Sequence, residues 1–336
     1  MRSMEGKYRP GTLILTEEDV RRCVGVSEAA AIVEELLKSE GEKRWTESRN
    51  SIPLHGTFSG NRVILDVSHR DGSDTITSKV TASFPSNSIT REAPVNPSLI
   101  SLFDSKNGRP LMVIGAGPLQ TLITSAITAV AAKYLARTKA SILTIIGAGD
   151  QGRSNTVATD QVLKLSRVKV YDIRKERALA FVDEVEKSIN VEVVASDSVQ
   201  EAVQGADVVV TTTTADEPLI KASWLEPGVF LAKIGSYQEL ELEVLLQVDK
   251  LVVDNWDYVS RRSKEITTLM QKGVLSKENT YLLPEIVAGK VKGRESDEER
   301  ILLIHLGFAA KYGATGPYVY NRAIELGLGR WLPQLW

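Results

Sequence analysis

The order of apolar runs after residue 141 is the feature that most constrains the fold. Helical stretches, of which 150–166 and 175–189 are the clearest, alternate with short runs that are apolar along most of their length. These runs are SILTII, RVKVYD, VEVVA, ADVVVTTT, GVFLAKIG and KLVVD. Continuous apolar character is typical of parallel strands that are buried on both faces. Strands that alternate with helices therefore predict an α/β fold with a Rossmann-type, doubly wound parallel sheet.

A glycine pattern follows the first apolar run. The stretch IIGAGDQGR matches the GxGxxG fingerprint of turns that bind dinucleotides. Gly147 would allow a tight turn, Gly149 would let the backbone approach a pyrophosphate, and Gly152 would permit close packing of the next helix. Asp150 and Gln151 lie where that helix begins, and helix N-termini attract phosphate. We therefore predict that these residues bind the phosphates of a dinucleotide.

A second glycine cluster, GAGPLQT from residue 115, competes with the first. It lacks the third glycine, because Gln120 stands at that position, and Ala140 rather than a carboxylate lies 20 residues beyond it. We predict that this cluster is a turn between a strand and a long helix, and that it binds no dinucleotide.

The end of the second apolar run bears on which dinucleotide is bound. Asp172 lies 20 residues after Gly152, where a carboxylate accepts hydrogen bonds from the ribose hydroxyls of NAD. Its charge would repel a 2′-phosphate, so the pattern favours NAD. Arg174 and Lys175 follow directly and could neutralise such a phosphate, which leaves NADP as the alternative.

Two further strand ends supply candidate cofactor contacts. Thr212 and Thr213 belong to the run TTTT that ends the fourth strand, and Ile234 and Gly235 end the fifth. Ligands of open α/β sheets lie outside the carboxyl ends of the strands. We therefore expect the threonines at the cofactor, with Ile234 and Gly235 toward its nicotinamide side.

The rest of the chain predicts a different architecture and excludes several functions. Short β-like runs between 50 and 115 and a helical tail from about 305 indicate an α+β domain. The 336 residues include 41 basic and 43 acidic side chains, so we expect no nucleic-acid partner. The single cysteine and three histidines fit no metal-ligand spacing, and no run has the composition of a membrane span. We expect a cytoplasmic protein without a metal site or a membrane partner.

The fingerprint, the TTTT strand end, KIG and GRESDEE, taken in this order, resemble the ornithine cyclodeaminase/μ-crystallin family. That family includes archaeal-type alanine dehydrogenases and cyclic ketimine reductases. The matching stretches cover most of the chain and are LILTEEDV, SKVTASFPSN, NGRPL, AAKYLAR, IIGAGDQGR, VYDIRKERA, ADVVVTTTTADEPLI, KGV and VAGKVKGRESDEE. The resemblance implies a split substrate-binding and dimerisation domain, 1–124 plus 305–336, with a Rossmann domain inserted at 125–304. It also implies a homodimer formed through a β layer.

The resemblance also implies where the substrate binds. By position, Arg49 in WTESRNS and Lys79 in TSKVTASFP match a cationic pair with which the family binds a substrate carboxylate. Two cations offer charge-assisted hydrogen bonds to a carboxylate, and the lysine could protonate an imine nitrogen. Arg49 and Lys79 are therefore the candidate catalytic residues.

The chain departs from the family in its substrate site. The departures are Ile123 in place of an arginine, a loop GSYQE at 235–239 without an aspartate, Asp66-Val67 in place of a Met-Pro pair, and His305 in place of a serine. They argue against cyclisation of ornithine. We therefore expect an NAD(P)-dependent oxidoreductase that acts on the C–N bond of a small amino or imino acid. A cyclodeaminase and a weakly catalytic NAD(P)(H)-binding protein are the alternatives.

Overall fold

The computed structural model describes residues 11–54, 60–85, 87, 93–215 and 217–333. These residues form two compact units. The first takes its described residues from Met1–Ile32, Lys43–Leu122 and Phe308–Trp336, and the second from Val33–Glu42 and Ile123–Gly307. The segment 33–42, which we expected in the first domain, belongs to the second unit, because Glu34 accepts hydrogen bonds from Lys133 and Tyr134 and the Gly41 carbonyl accepts one from Lys290.

The elements are numbered in chain order. The strands are β1 (Thr12–Leu15), β2 (Trp45–Pro53), β3 (Arg62–Arg70), β4 (Thr75–Ser83), β5 (Ser98–Asp104), β6 (Pro110–Gly115), β7 (Ile142–Ile146), β8 (Arg167–Tyr171), β9 (Glu192–Ala195), β10 (Val208–Thr211), β11 (Phe230–Ile234), β12 (Lys250–Val253), β13 (Tyr281–Leu282), β14 (Ile301–His305) and β15 (Arg330–Leu332). The helices are α1 (Glu17–Cys23), α2 (Val26–Gly41), α3 (Gly117–Leu135), α4 (Asp150–Val162), α5 (Lys175–Val185), α6 (Val199–Val203), α7 (Leu242–Gln247), α8 (Trp256–Arg262), α9 (Lys264–Gln271), α10 (Leu283–Val287) and α11 (Ala310–Leu326).

A mixed seven-stranded sheet forms the centre of the first unit. Its order is β15-β1-β6-β5-β4-β3-β2, with β1 parallel to β6 and the other neighbouring strands antiparallel. Helix α11 packs on β2 to β5. Strand β2 was not expected from the sequence, because this edge strand is largely polar and carries few apolar side chains.

An all-parallel eight-stranded sheet forms the centre of the second unit. Its order is β13-β12-β14-β11-β10-β7-β8-β9. The chain therefore proceeds from β7 toward one edge through β8 and β9, and toward the other through β10 and β11, which is the doubly wound topology. The predicted α/β fold class is confirmed, and the predicted strands correspond to β7 to β12.

Strand β14 is an element that the sequence interpretation missed. We expected a helical tail from about 305 and assigned no strand to ILLIH. All residues of β14 are buried, and the strand lies between β11 and β12. A short run that is apolar throughout cannot be distinguished from a buried helix segment by periodicity. The register places His305 beside Ile234 at the carboxyl edge of the sheet.

Two negative findings apply to the described part of the chain. No helix there is both long enough and apolar enough to cross a membrane. No group of three or more His, Cys, Asp and Glu side chains there is arranged to hold a metal ion.

Candidate active site

The glycine fingerprint forms the turn between β7 and α4. Gly147 has a φ of +109°, which side-chain-bearing residues rarely adopt, and a Cβ there would lie 3.0 Å from the carbonyl oxygen of Thr212. A Cβ on Gly152 would collide with the carbonyl oxygen of Gly147. Both positions therefore require glycine for the fold of the turn itself.

Gly149 has different surroundings. It is the N-cap residue of α4, and a Cβ built on it would meet no heavy atom of the described chain within 4 Å. As a glycine it places no side chain over the first turn of the helix. The backbone is thus open at the point where a helix N-terminus attracts phosphate.

An open pocket of about 380 Å³ lies beside this turn. Its walls are the turn and the first part of α5, and its charged lining residues are Asp150, Arg153, Glu176 and Arg177. Arg153 is held in place, because it forms an ion pair with Glu184 and donates a hydrogen bond to the Ala148 carbonyl at 2.8 Å. Gln151 accepts a hydrogen bond at its carbonyl from Asn155 within α4. The pocket thus has a cation, Arg153, whose position is fixed in the first turn of α4.

Asp172 follows β8 and bonds to the turn. Its two carboxylate oxygens accept the N–H groups of Ala148 and Arg174, each at 3.0 Å. An ionised carboxylate has further lone pairs, so it can also accept hydrogen bonds from two ribose hydroxyls. The next side chain, Ile173, is 87% exposed and offers an apolar surface beside the carboxylate. The turn, the open space at Gly149 and Asp172 together fit a dinucleotide.

The two cations after Asp172 bear on NAD against NADP. Lys175 Nζ donates to Asp197 Oδ1 at 2.7 Å, and this exposed pair raises the pKa of Lys175. Arg174 is exposed and is the N-cap residue of α5. Because Lys175 is directed toward Asp197, the arrangement favours an unphosphorylated ribose at Asp172.

The carboxyl ends of β10 and β11 carry the other predicted cofactor residues. Thr212 Oγ1 donates to the Gly147 carbonyl at 2.9 Å, which ties this strand end to the glycine turn. Thr213 donates both its N–H and its Oγ1 hydrogen to Glu239 Oε1, at 2.8 and 2.7 Å. After Ile234, Gly235 has a φ of +97° and open space around its Cα. The two threonine hydroxyls thus hold protein loops in place.

A buried charged network lies behind these strand ends. Lys233, Glu239 and Glu265 are each 0% exposed. Lys233 Nζ lies 3.2 Å from Glu265 Oε2 and donates to the Gly235 carbonyl at 3.0 Å. Burial raises the pKa of Glu239 to about 7, and hydrogen bonds from Thr213 and the charge of Lys233 oppose the rise. The network thus contacts the strand ends at Thr213 and Gly235, which are both predicted to bind the cofactor, and it includes Glu239, whose pKa is near neutral.

The first unit brings Arg49 and Lys79 together. Arg49 lies directly opposite Asp66 on β3, and Asp66 lies directly opposite Lys79 on β4. Arg49 Nε is 3.4 Å from Asp66 Oδ1, and Lys79 Nζ is 3.9 Å from Asp66 Oδ2. We call these three residues the charged row. It places two buried or nearly buried cations on either side of a buried carboxylate.

The surroundings of Lys79 suit proton transfer. Its Nζ donates to Thr81 Oγ1 at 2.6 Å and lies 4.5 Å from the centroid of the Tyr312 ring. Burial lowers the pKa of Lys79 to about 7, with a further lowering by Lys311, while Asp66 opposes the shift. An amine with a pKa near 7 can donate or accept a proton at neutral pH.

Comparison with known proteins identifies the family of the chain. A model of the ornithine cyclodeaminase/mu-crystallin family matches residues 11–327. The chain belongs to this family. The fingerprint turn and the charged row both lie within the matched residues, so the family relationship covers both candidate sites.

Relatives within the ornithine cyclodeaminase/mu-crystallin family show which activities it includes. An N-((2S)-2-amino-2-carboxyethyl)-L-glutamate dehydrogenase from Staphylococcus aureus is 33% identical over 272 residues, which are 80% of this chain and 81% of the relative. A Thermococcus litoralis Δ1-pyrroline-2-carboxylate reductase, solved with NADH and L-proline, superposes with a TM-score of 0.91 at 30% identity, over 96% of this chain and 100% of that one. An archaeal alanine dehydrogenase dimer with bound NAD gives 0.88 at 31% identity, over 96% and 98%.

Two of the departures from the family lie in the core of the second unit. Ile123, which stands in place of an arginine, is 0% exposed. His305 is 1% exposed, and its Nε2 forms a hydrogen bond with Thr128 Oγ1 at 3.0 Å. Both side chains therefore contribute to packing where they lie, and His305 is a core histidine with a hydrogen-bond partner.

Sequence reasoning missed three residues of these sites. Asp66 was noted only as a departure, although a lone acid inside the apolar run RVILDVS is a signal of a buried charge. Glu239 and Glu265 lie in ordinary polar stretches, and no local pattern marks them. Their burial arises only when β10, β11 and α9 pack together.

Proposed function

We propose that this chain is an NAD-dependent oxidoreductase that acts on the C–N bond of a small amino or imino acid. The observation that carries the proposal is buried Lys79, whose pKa of about 7 and place in the charged row with Arg49 fit proton transfer to a nitrogen next to a carboxylate. The names of the compared relatives support it, because a glutamate-derivative dehydrogenase, an alanine dehydrogenase and a pyrroline-carboxylate reductase all act at such bonds.

The roles of the chain's own residues follow from their chemistry. When bound, NAD(H) supplies or accepts the hydride at carbon. Arg49 binds the substrate carboxylate by charge-assisted hydrogen bonds. Lys79, in its protonated form, donates a proton to the substrate nitrogen as the C–N double bond is reduced and, in its neutral form, accepts one from the substrate nitrogen during oxidation. The burial of both groups excludes water and strengthens their interaction with a charged substrate.

We propose that the second unit holds the cofactor. The residues assigned to it are Gly147, Gly149, Asp150, Gln151, Gly152, Asp172, Thr212, Thr213, Ile234 and Gly235. The turn and strand ends that carry them lie at the carboxyl edge of the parallel sheet. NAD is the preferred dinucleotide on the evidence of Asp172 and the Lys175–Asp197 pair, with NADP as the alternative.

We further propose that the chain forms a homodimer through the outer face of the mixed sheet. Successive side chains of a strand lie on opposite faces of the sheet. Val67 and Val80, which follow Asp66 and Lys79, therefore lie on the face that does not carry the charged row, and we call it the outer face. With Leu99 they are 45%, 46% and 56% exposed, a set of large apolar side chains on one open sheet face. A related alanine dehydrogenase is a dimer.

The Leu99→Glu variant should be monomeric when its mass is measured by light scattering, because the substitution places a charge in the proposed interface. The control variant Val274→Glu, at a 52% exposed position in the second unit, should remain a dimer.

A turnover screen tests the proposed activity. Purified protein is mixed with NADH and either Δ1-pyrroline-2-carboxylate or 2-oxo acids plus ammonia, and NADH absorbance is followed. We expect net NADH consumption with at least one substrate, and consumption that is about 10²- to 10⁴-fold slower with the Lys79→Met variant. In a parallel assay with ornithine and NAD, release of ammonia without a net change in NADH would support a cyclodeaminase instead. NADH binding without any turnover would support a protein with little catalysis.

A further inference from the structure

Asp66 has no role in the function proposed so far. Asp66 and Ser68 are the two buried residues of β3, and of the two Asp66 carries a carboxylate. The Asp66 side chain is 1% exposed and lies between Arg49 and Lys79, which stand on the two adjacent strands. A buried carboxylate is expensive to desolvate, so its presence in the predicted substrate site calls for a physical explanation.

The hydrogen bonding of Asp66 is incomplete. Neither carboxylate oxygen accepts a hydrogen bond from any residue that the structure describes. The nearest cationic atoms, at 3.4 and 3.9 Å, attract the carboxylate but lie beyond good hydrogen-bond distance. Lys79 instead donates to Thr81. Buried carboxylate oxygens nearly always have donors, so these two require donors from outside the described chain.

The order of charges in the charged row indicates which chemical group could donate a hydrogen bond to Asp66. The row presents a cation, an anion and a cation on three adjacent strands. The head group of an amino or imino acid has the complementary pattern, a carboxylate next to a cationic nitrogen that carries N–H groups. A metal ion would be repelled by both cations, and the described residues offer no further carboxylate group for it.

We propose that Asp66 accepts a hydrogen bond from the cationic nitrogen of the bound amino or imino acid, and that it thereby selects nitrogen-containing substrates over 2-hydroxy acids and other acids that carry oxygen in place of that nitrogen. This inference rests on the proposed function and deepens it. Arg49 and Lys79 recognise the carboxylate that all these acids share. Asp66 recognises the group in which they differ, because a hydroxyl or a ketone oxygen brings no positive charge to the buried carboxylate.

The test compares ligand pairs that differ only at that group. With NADH bound, affinities are measured by calorimetry for L-alanine against L-lactate and for L-proline against (S)-tetrahydrofuran-2-carboxylate. The variants are Asp66→Asn, which keeps an acceptor without the charge, and Asp66→Met, which removes both. The control is Asp104→Asn, a buried carboxylate of the same sheet whose oxygens accept hydrogen bonds from Lys106 and Asn107. Thermal unfolding of each variant is measured alongside.

We expect wild-type protein to prefer the nitrogen-containing member of a pair, and Asp66→Met to reduce that preference about 10- to 100-fold, the range of a hydrogen bond to a charged group. Asp66→Asn should give an intermediate loss, and Asp104→Asn none. Equal loss of affinity for both members of each pair would overturn the inference and leave Asp66 as a counter-ion of the two cations. Loss of thermal stability with an unchanged preference would also overturn it. If wild-type protein binds NADH but neither member of any pair, the proposed function fails and this inference with it.

Discussion

The two candidate sites are built in opposite ways. The cofactor turn consists of neighbouring residues, 147–152, and its shape requires glycine at Gly147 and Gly152. The charged row consists of single residues on three strands, and it exists only because the strand register places Arg49, Asp66 and Lys79 side by side. The first site is therefore a property of local sequence, and the second is a property of the folded sheet.

The two sites also differ in how they satisfy polar groups. At the turn, the carboxylate of Asp172 accepts backbone N–H groups of the protein itself. In the row, the carboxylate of Asp66 is held near cations without a hydrogen bond from the described chain. Unsatisfied buried groups destabilise a fold, and they persist where function requires them. The comparison therefore predicts that changes to the row affect catalysis more than stability.

The largest effect should come from Lys79→Met. Removal of the proton donor and of one carboxylate-binding cation should lower kcat/KM by about 10²- to 10⁴-fold, the usual contribution of a general acid or base. Methionine has a similar length but removes one of the two cations beside the buried Asp66 carboxylate, so thermal stability should also fall, and kcat/KM is measured well below the unfolding temperature of the variant. The measurement is steady-state NADH consumption with the substrate that the turnover screen identifies.

The control for Lys79→Met is Lys106→Met, which removes an exposed lysine of the loop between β5 and β6. NADH affinity, measured by fluorescence titration, should be unchanged in both variants, because the predicted cofactor residues all lie in the second unit. A Lys79→Met enzyme with wild-type kcat/KM would show that the charged row does not take part in the reaction.

The second effect separates two glycines within the turn. A Cβ on Gly149 meets no described atom, so Gly149→Ala should leave thermal stability unchanged. It should lower NADH affinity by about 100-fold, because the methyl group would occupy the space in which the backbone approaches the pyrophosphate. A Cβ on Gly152 collides with the Gly147 carbonyl, so Gly152→Ala should lower the unfolding temperature. Unchanged NADH affinity in Gly149→Ala would contradict the proposed binding of the cofactor phosphates at this turn.

These contrasts explain how much the sequence could predict. Gly147 and Gly152 were recognisable because their pattern and spacing are local. Strand β14 was not, because ILLIH has no turn signal and no periodicity that distinguishes a strand from a helix. Asp66 was visible as an acid among apolar residues, but its partners could be assigned only after the register of β2, β3 and β4 was known.

The third effect concerns pH and the network behind the strand ends. The pKa of Glu239 is raised to about 7 by burial, so the folded state keeps a proton that the unfolded state loses near its ordinary value of 4.5. The stability that Glu239 contributes is therefore complete at low pH and lost as pH rises toward 7. Relative to Glu239→Gln, the wild type should lose about 2 kcal/mol of unfolding free energy between about pH 5.5 and about pH 8.

Denaturant unfolding of both proteins at several pH values measures this difference, and the remaining titratable groups largely cancel in it. Asp160→Asn is the matched control, because burial also raises the pKa of that carboxyl, in α4 and outside the network. If the unfolding free energy of the wild type relative to Glu239→Gln stays constant from about pH 5.5 to about pH 8, Glu239 is ionised across the whole range and the prediction is wrong.

The smallest effect tests the choice of dinucleotide. Asp172→Asn keeps hydrogen-bonding groups at the ribose but removes the charge, so NADH affinity should fall about 10-fold, the effect of weakening one charge-assisted hydrogen bond. NADPH affinity should rise in the same variant, because the carboxylate no longer repels a 2′-phosphate. Asp197→Asn should add to that rise by releasing Lys175 from its ion pair. If NADPH already binds the wild type as tightly as NADH, the ribose contact of Asp172 is not what selects the cofactor.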